Sequence, residues 1–183
     1  VGFFRSSGYF KLRKELGDVQ EIKILIGINI DNIFRKHNKA LLMLADPEKA
    51  KEIYNGSFKE DIQNAEYAPE VEEGIVQLCE DLASGRLEMR IHATKNLHAK
   101  FYLCLPQKHN EHSDGWVIMG SSNISDSGLG IKKPPQYELN VAMKDYDDVK
   151  YCSDEFEVLW SQAIALTLDD IAEYKKETYL DNA

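Results

Sequence analysis

Five apolar runs of strand length constrain this chain most. Residues 21–30 are dominated by Ile and Leu, with Gly27 near the end, and runs at 87–92, 97–105, 116–121 and 137–143 follow, parted by turns containing Gly, Pro, Asn or Asp. The first run shows no polar alternation and predicts a strand buried on both faces, which needs helical cover on each side. The other four are read as adjacent strands of one sheet.

Helical patterns occupy the intervals. Pro69 opens a stretch in which Val71, Ile75, Leu78 and Leu82 recur at i, i+4, i+7 and i+11, and Gly85 supplies its stop. Residues 2–5 read as the end of a strand, and Ser6 or Ser7 is expected to cap a short helix carrying Tyr9, Leu12 and Leu16. After Asp145, Ser153 is the expected cap of a helix with the apolar stripe Phe156, Leu159, Trp160, Ala163 and Ile164, and a last helix is expected over 168–178. The fold class is therefore α/β: a mixed central β-sheet flanked by helices on both faces. Residues 1–183 are read as a single domain, and the start at Val1, inside a strand-like run, is read as a fragment of a longer chain.

At this length a core forms without a disulfide or a structural metal. Cys79, Cys104 and Cys152 are scattered with no CxxC pair, so zinc and disulfide scaffolds are not expected, and a reducing, cytoplasmic setting fits. No apolar run approaches the roughly 20 residues of a spanning helix. The net charge of −9 is uneven: residues 1–45 carry +4, 46–82 carry −8, 83–144 carry +3 and 145–183 carry −8. The acid thus lies in two blocks read as solvated helices. Within 84–110, Arg86, Arg90, Lys95, Lys100 and Lys108 face Glu88 alone, a local balance compatible with a polyanion, although a chance surface fluctuation is the plainer explanation.

The chemistry-bearing residues fall in the second half. In the run at 97–105, alternation places Ala99, Phe101 and Leu103 on one face and His98, Lys100 and Tyr102 on the other. An imidazole and an ammonium side by side suit a phosphate, the first as nucleophile and the second as charge clamp. Alone, such a pair is more often two polar residues facing water. The run at 116–121 ends in Gly120-Ser121-Ser122-Asn123, where glycine allows close backbone approach and the hydroxyls and amide can donate to phosphate oxygens. Its ordinary alternative is a turn that stops a strand. Glu138 interrupts the run at 137–143 and could fix a histidine tautomer, or simply face solvent. Outside these, residues 108–114, with His109 and His112, read as a solvated hairpin loop. Asn29 and Asp31 follow a strand end but are better explained by helix capping.

His98-x-Lys100, then Gly120-Ser121-Ser122-Asn123, then Glu138-Leu139-Asn140-Val141 resemble, in order and character, the active-site motif of the phospholipase D superfamily. The segment containing Ser7-Gly8-Tyr9-Phe10 looks like the start of such a domain. With Ser127-Gly128-Leu129, the pattern looks most like the phospholipase D-like domains at the start of bacterial helicase-type proteins and in related restriction endonucleases. The resemblance implies a role for each residue: His98 forms a phosphohistidine, Lys100 and Asn123 hold non-bridging oxygens, Glu138 orients His98, and Gly120, Ser121 and Ser122 contact substrate. It implies no metal and no other cofactor. Members bring two such motifs together, and one copy here implies a homodimer pairing two His98 residues. It also implies a fused helicase domain outside this segment. One position departs from the pattern: the acidic residue five places after the lysine is Leu105 here.

Three readings follow. The first is a metal-independent phosphodiesterase or endonuclease acting on DNA. The second is a catalytically silent nucleic-acid-binding or dimerisation module of a helicase. The third, lipid chemistry at a membrane, is least expected, because no basic amphipathic helix or exposed apolar hairpin is evident.

Overall fold

The computed structural model describes residues 2, 4–27, 69–92, 97–131 and 135–166. Along the chain run α1 (Ser6–Leu12), β1 (Ile22–Gly27), α2 (Pro69–Ala83), β2 (Leu87–His92), β3 (Phe101–Cys104), β4 (Trp116–Gly120), β5 (Asn140–Met143), α3 (Tyr146–Ser161) and β6 (Ile164–Ala165). The fold is mixed α/β, as the patterning predicts. The expected helix over 168–178 and the residues Asn29 and Asp31 lie outside the described residues.

β1 and β2 pair in parallel from Ile22 opposite Leu87 to Gly27 opposite His92, and β6 adds antiparallel to β2. A parallel pair needs a long crossover, and α2 lies within it. β3, β4 and β5 form a separate antiparallel sheet, with Phe101 opposite Met119 and Gly120 opposite Asn140. The expectation of four adjacent strands is therefore corrected: residues 87–92 join β1, and the other three runs pair among themselves.

Gly27 shows the physical reason. A Cβ there would lie 2.4 Å from the Leu97 carbonyl oxygen, so the chain entering β3 crosses the face of β1 at its end. A segment lying on a strand's face cannot also hydrogen-bond its edge. The N-terminal segment ties the halves together, through a parallel bridge between Phe4 and Ile124 in which Arg5 N donates to Ile124 O at 2.8 Å. The strand expected over 2–5 is thus a single bridge.

Phe4, Tyr9 and Phe10 meet Ile24, Ile26, Leu78, Leu82, Leu87, Met89 and Ile124 in the main core. Each such side chain contributes roughly 1.5–3 kcal/mol on full burial. Among these residues Asp81 is 3% exposed and receives the Tyr9 hydroxyl, while Arg86 Nη1 reaches its other oxygen at 2.7 Å. The Arg86 guanidinium also donates to the carbonyls of Leu16 and Val19, so one carboxylate locks α1, α2 and the chain between α1 and β1.

Two helix starts differ from expectation. Arg5, extended and without a side-chain cap bond, is the N-cap of α1, and Ser6 and Ser7 lie inside the helix. Asp145, not Ser153, caps α3, accepting from Asp147 N at 3.1 Å, and Asp147 and Asp148 occupy the favourable first turn. α3 buries Val149 and Cys152 against Val117, with Phe101, Leu103 and Met143 around them. Its other end reaches β2, where the Arg90 guanidinium lies 4.4 Å from the Trp160 ring centre and donates to Trp160 O at 3.0 Å. One helix therefore spans both sheets.

Candidate active site

The face of the second sheet opposite α3 carries the predicted residues. Phe101 lies edge-on to Phe156, and Met119 lies beside Cys152, so these side chains point toward α3. Alternation then turns Lys100, Tyr102, Gly120, Ile118 and Asn140 to the other side. Residues 97–100 are an extended lead-in to β3 and not strand proper. The lead-in still keeps sheet register, because Gly120 N donates to Lys100 O at 3.1 Å.

Lys100 and His98 form the centre. The Lys100 Nζ lies 3.1 Å from His98 Nε2 and donates to His98 O at 2.8 Å. An ammonium has only donors, so where it bonds the ring Nε2 is the acceptor. Lys100 is 8% exposed, whereas His98 is exposed. Burial pushes the Lys100 ammonium below its usual range, and the charge of Glu138 partly opposes that shift. The cation sits beside His98 Nε2, with Gly2 packed close to both residues.

The Gly120-Ser121-Ser122 turn abuts the segment that carries Glu138. A Cβ on Gly120 would lie 2.2 Å from both Leu139 O and Asn140 Oδ1, so only glycine lets the strands close there. Ser121 is exposed, its N donates to Leu139 O at 3.1 Å, and its hydroxyl donates to Glu138. Ser122 turns inward: it is 6% exposed, its Oγ accepts from Asn140 Nδ2 at 2.8 Å, and its carbonyl accepts from Tyr102 at 2.7 Å. Ser122, expected to contact substrate, is thus hydrogen-bonded to Asn140 and Tyr102. Asn123 O accepts from Ser125 N at 2.9 Å, and Gly128 packs against the Asn123 backbone.

The structure brings His98, Lys100, Gly120, Ser121 and Glu138 to one end of this sheet. It does not pair Glu138 with His98: among the described residues no hydrogen bond joins them, and the carboxylate is held by Ser121. Two residues that anchor the turn, Tyr102 and Asn140, escaped the sequence reading as site residues. The signal was present, since each lies two positions from a motif residue, Lys100 or Glu138, and shares its face. The hairpin loop is also more ordered than expected, with His109 against Tyr146 at 5.4 Å between ring centres and against Gly115.

The edge of β5 is apolar where none was expected. Tyr137, Leu139 and Val141 are 86%, 62% and 57% exposed, so the chain does present an apolar surface beside Glu138. Among the described residues no helix is long and apolar enough to cross a membrane.

One sheet end of this α/β domain thus gathers a histidine, a buried lysine and a Gly-Ser turn, side chains and backbone groups of the kinds that suit a phosphate group. Residues 9–160 match the family described as cardiolipin synthase, PLD-like domain, and the chain belongs to this phospholipase D-like family. No curated protein and no solved structure matches it. Family membership makes phosphodiester chemistry the activity class.

Proposed function

We propose that the chain is a metal-independent phosphodiesterase acting on DNA through a phosphohistidine at His98, working as a homodimer and joined to a helicase or restriction-type partner domain. The observation that carries this reading is the exposed His98 Nε2 held 3.1 Å from the buried Lys100 ammonium. An incoming phosphate competes for that ammonium. Its non-bridging oxygen takes the Lys100 proton donor, which frees the Nε2 lone pair to attack phosphorus. The P–Nε2 bond forms as the ester P–O bond breaks, and the leaving oxygen takes the Nε2 proton of a second His98, which enters the step as the imidazolium, across the two-fold axis. Water then attacks phosphorus, gives its proton to that second histidine, and the P–N bond breaks to release the phosphomonoester. Lys100 and Asn123 stabilise the charge on the non-bridging oxygens. Tyr137, Leu139 and Val141, at the outer edge of β5, give a second copy an exposed apolar surface to cover.

DNA is chosen over lipid on the likeness of Gly120-Ser121-Ser122-Asn123, Ser127-Gly128-Leu129 and Glu138-Leu139-Asn140-Val141 to the nuclease-like domains.

One observation favours the silent-module reading: Glu138 is bound to Ser121 and leaves His98 unoriented. A single experiment separates the two. Hydrolysis of bis(p-nitrophenyl) phosphate and of plasmid DNA is measured in excess EDTA with wild type and His98→Ala. Turnover that survives EDTA and disappears in the variant is expected. No turnover from a dimer of verified mass selects the silent module, and turnover abolished by EDTA rejects the mechanism.

A further inference from the structure

The face that holds the site continues past it. Gly120, Ile118 and Trp116 alternate onto that face along β4, and Asn140 and Ala142 do so along β5, with Lys144 next in sequence alternation. Ala142 and Lys144 are exposed, and so is Trp116, at 39%. Beyond the small Ala142 side chain, the Lys144 Nζ rests 3.7 Å from the centre of the Trp116 ring. Gly120 lies four residue steps along β4 from Trp116, about 13 Å at roughly 3.3 Å per residue.

We propose that Trp116 and Lys144 form a subsite for a nucleotide neighbouring the scissile phosphate, and that the substrate is single-stranded DNA. This rests on the phosphodiesterase reading and specifies its substrate. The spacing exceeds the reach of a nucleotide's base from its own phosphate, so the base at Trp116 belongs to a neighbour. An exposed lysine over an indole is a weak contact. A nucleobase therefore displaces it by stacking on the ring, while the released ammonium moves onto the adjoining phosphate. A duplex keeps its bases stacked on each other and cannot fill this subsite.

The test uses the full chain with an oligothymidylate and with a duplex of matched length. Binding of oligothymidylate is expected to quench tryptophan fluorescence in wild type, and Trp116→Phe, which keeps a stacking ring, is expected to abolish most of the quench, because Trp160 is buried. Trp116→Ala should weaken single-strand binding about fivefold or more. It should leave duplex binding and bis(p-nitrophenyl) phosphate hydrolysis unchanged. Lys144→Gln should weaken binding and flatten its salt dependence. Wild type binding without a quench, or equal loss for duplex and single strand in both variants, overturns the subsite. Should the small diester prove inert while the quench and the single-strand preference persist, the subsite stands and the catalytic reading falls.

Discussion

The hydroxyl of Ser121 holds the carboxylate of Glu138, and the Leu139 N donates back to the same Ser121 Oγ at 3.0 Å. This clasp joins the turn after β4 to the segment before β5, and it occupies the group that would orient His98. Ser121→Ala removes both bonds. A hydrogen bond to a charged group is worth about 1.5–3 kcal/mol. If the clasp places Glu138 productively, phosphodiester turnover falls about tenfold or more, and Ser121→Thr restores it. Turnover equal to or above wild type, measured on the same small diester, shows instead that Ser121 withholds Glu138 from His98.

Lys100 sets an alkaline limit. Its pKa lies below the ordinary 10.5 because burial disfavours the ammonium. For a lysine whose folded pKa is lowered, burial weakens the folded state below that pKa, and the penalty is relieved as pH rises toward 10.5. Substrate capture moves the opposite way, since phosphate needs the cation. The profile of kcat/KM reports the free enzyme and should fall on the alkaline side before pH 10.5. Lys100→Arg keeps its charge throughout and should remove that fall, though its planar fork lowers the plateau. An unchanged alkaline limb in Lys100→Arg assigns it to another group.

Glycines at 120 and 85 should fail differently when changed to alanine. At Gly120 the new Cβ meets the Leu139 carbonyl and the Asn140 amide at 2.2 Å, so the strands must part. That costs about 1–3 kcal/mol and moves Ser121 away from Glu138. At Gly85, φ is +74° and nothing lies within 4 Å, so the cost is backbone strain of about 1–2 kcal/mol. Thermal melts should show both losses, whereas turnover at a temperature where each variant is folded should fall only for Gly120→Ala. Equal turnover in the two variants would remove Gly120 from the site.

These contrasts also show what the sequence could reveal. The alternation at 97–105 put His98, Lys100 and Tyr102 on one face because a strand's period is two, and the Pro69 and Gly85 signals bounded α2 because both act locally. Sheet partnership was not legible, since it depends on Leu97 crossing the face of Gly27, a contact between residues 70 positions apart. The cap of α3 was misplaced because Asp145 and Ser153 are equally good local caps, and only the packing of Val149 and Cys152 on Val117 selects the earlier one. Glu138 was assigned to His98 by resemblance, while the bond it makes is with Ser121, the residue that the Gly120 turn places next to it.

Tyr9, Asp81 and Arg86 offer a stability prediction independent of the site. Burial would push the Asp81 carboxyl up, but hydrogen bonds from Tyr9, Arg86 and Gln77 outweigh it and hold it below its usual range. A carboxylate lowered in the folded state stabilises at pH above its unfolded pKa, and that stability is lost as pH falls through the folded value. Burial and the same hydrogen bond push the Tyr9 phenol well above 10, so its contribution is full below pH 10 and is lost at higher pH. Asp81→Ala leaves the Arg86 guanidinium, whose side chain is 22% exposed, without its partner. Removing one member of a buried pair costs about 3–5 kcal/mol, and this partial exposure places the expected loss near the lower end. Tyr9→Phe removes a single bond to the carboxylate and should cost about 1.5 kcal/mol. Urea unfolding across pH checks both: the wild type advantage over Asp81→Ala should shrink under acid, and the advantage over Tyr9→Phe should shrink above pH 10. A pH-independent difference in either case would mean that packing, and not the charged hydrogen bond, holds α1 against α2.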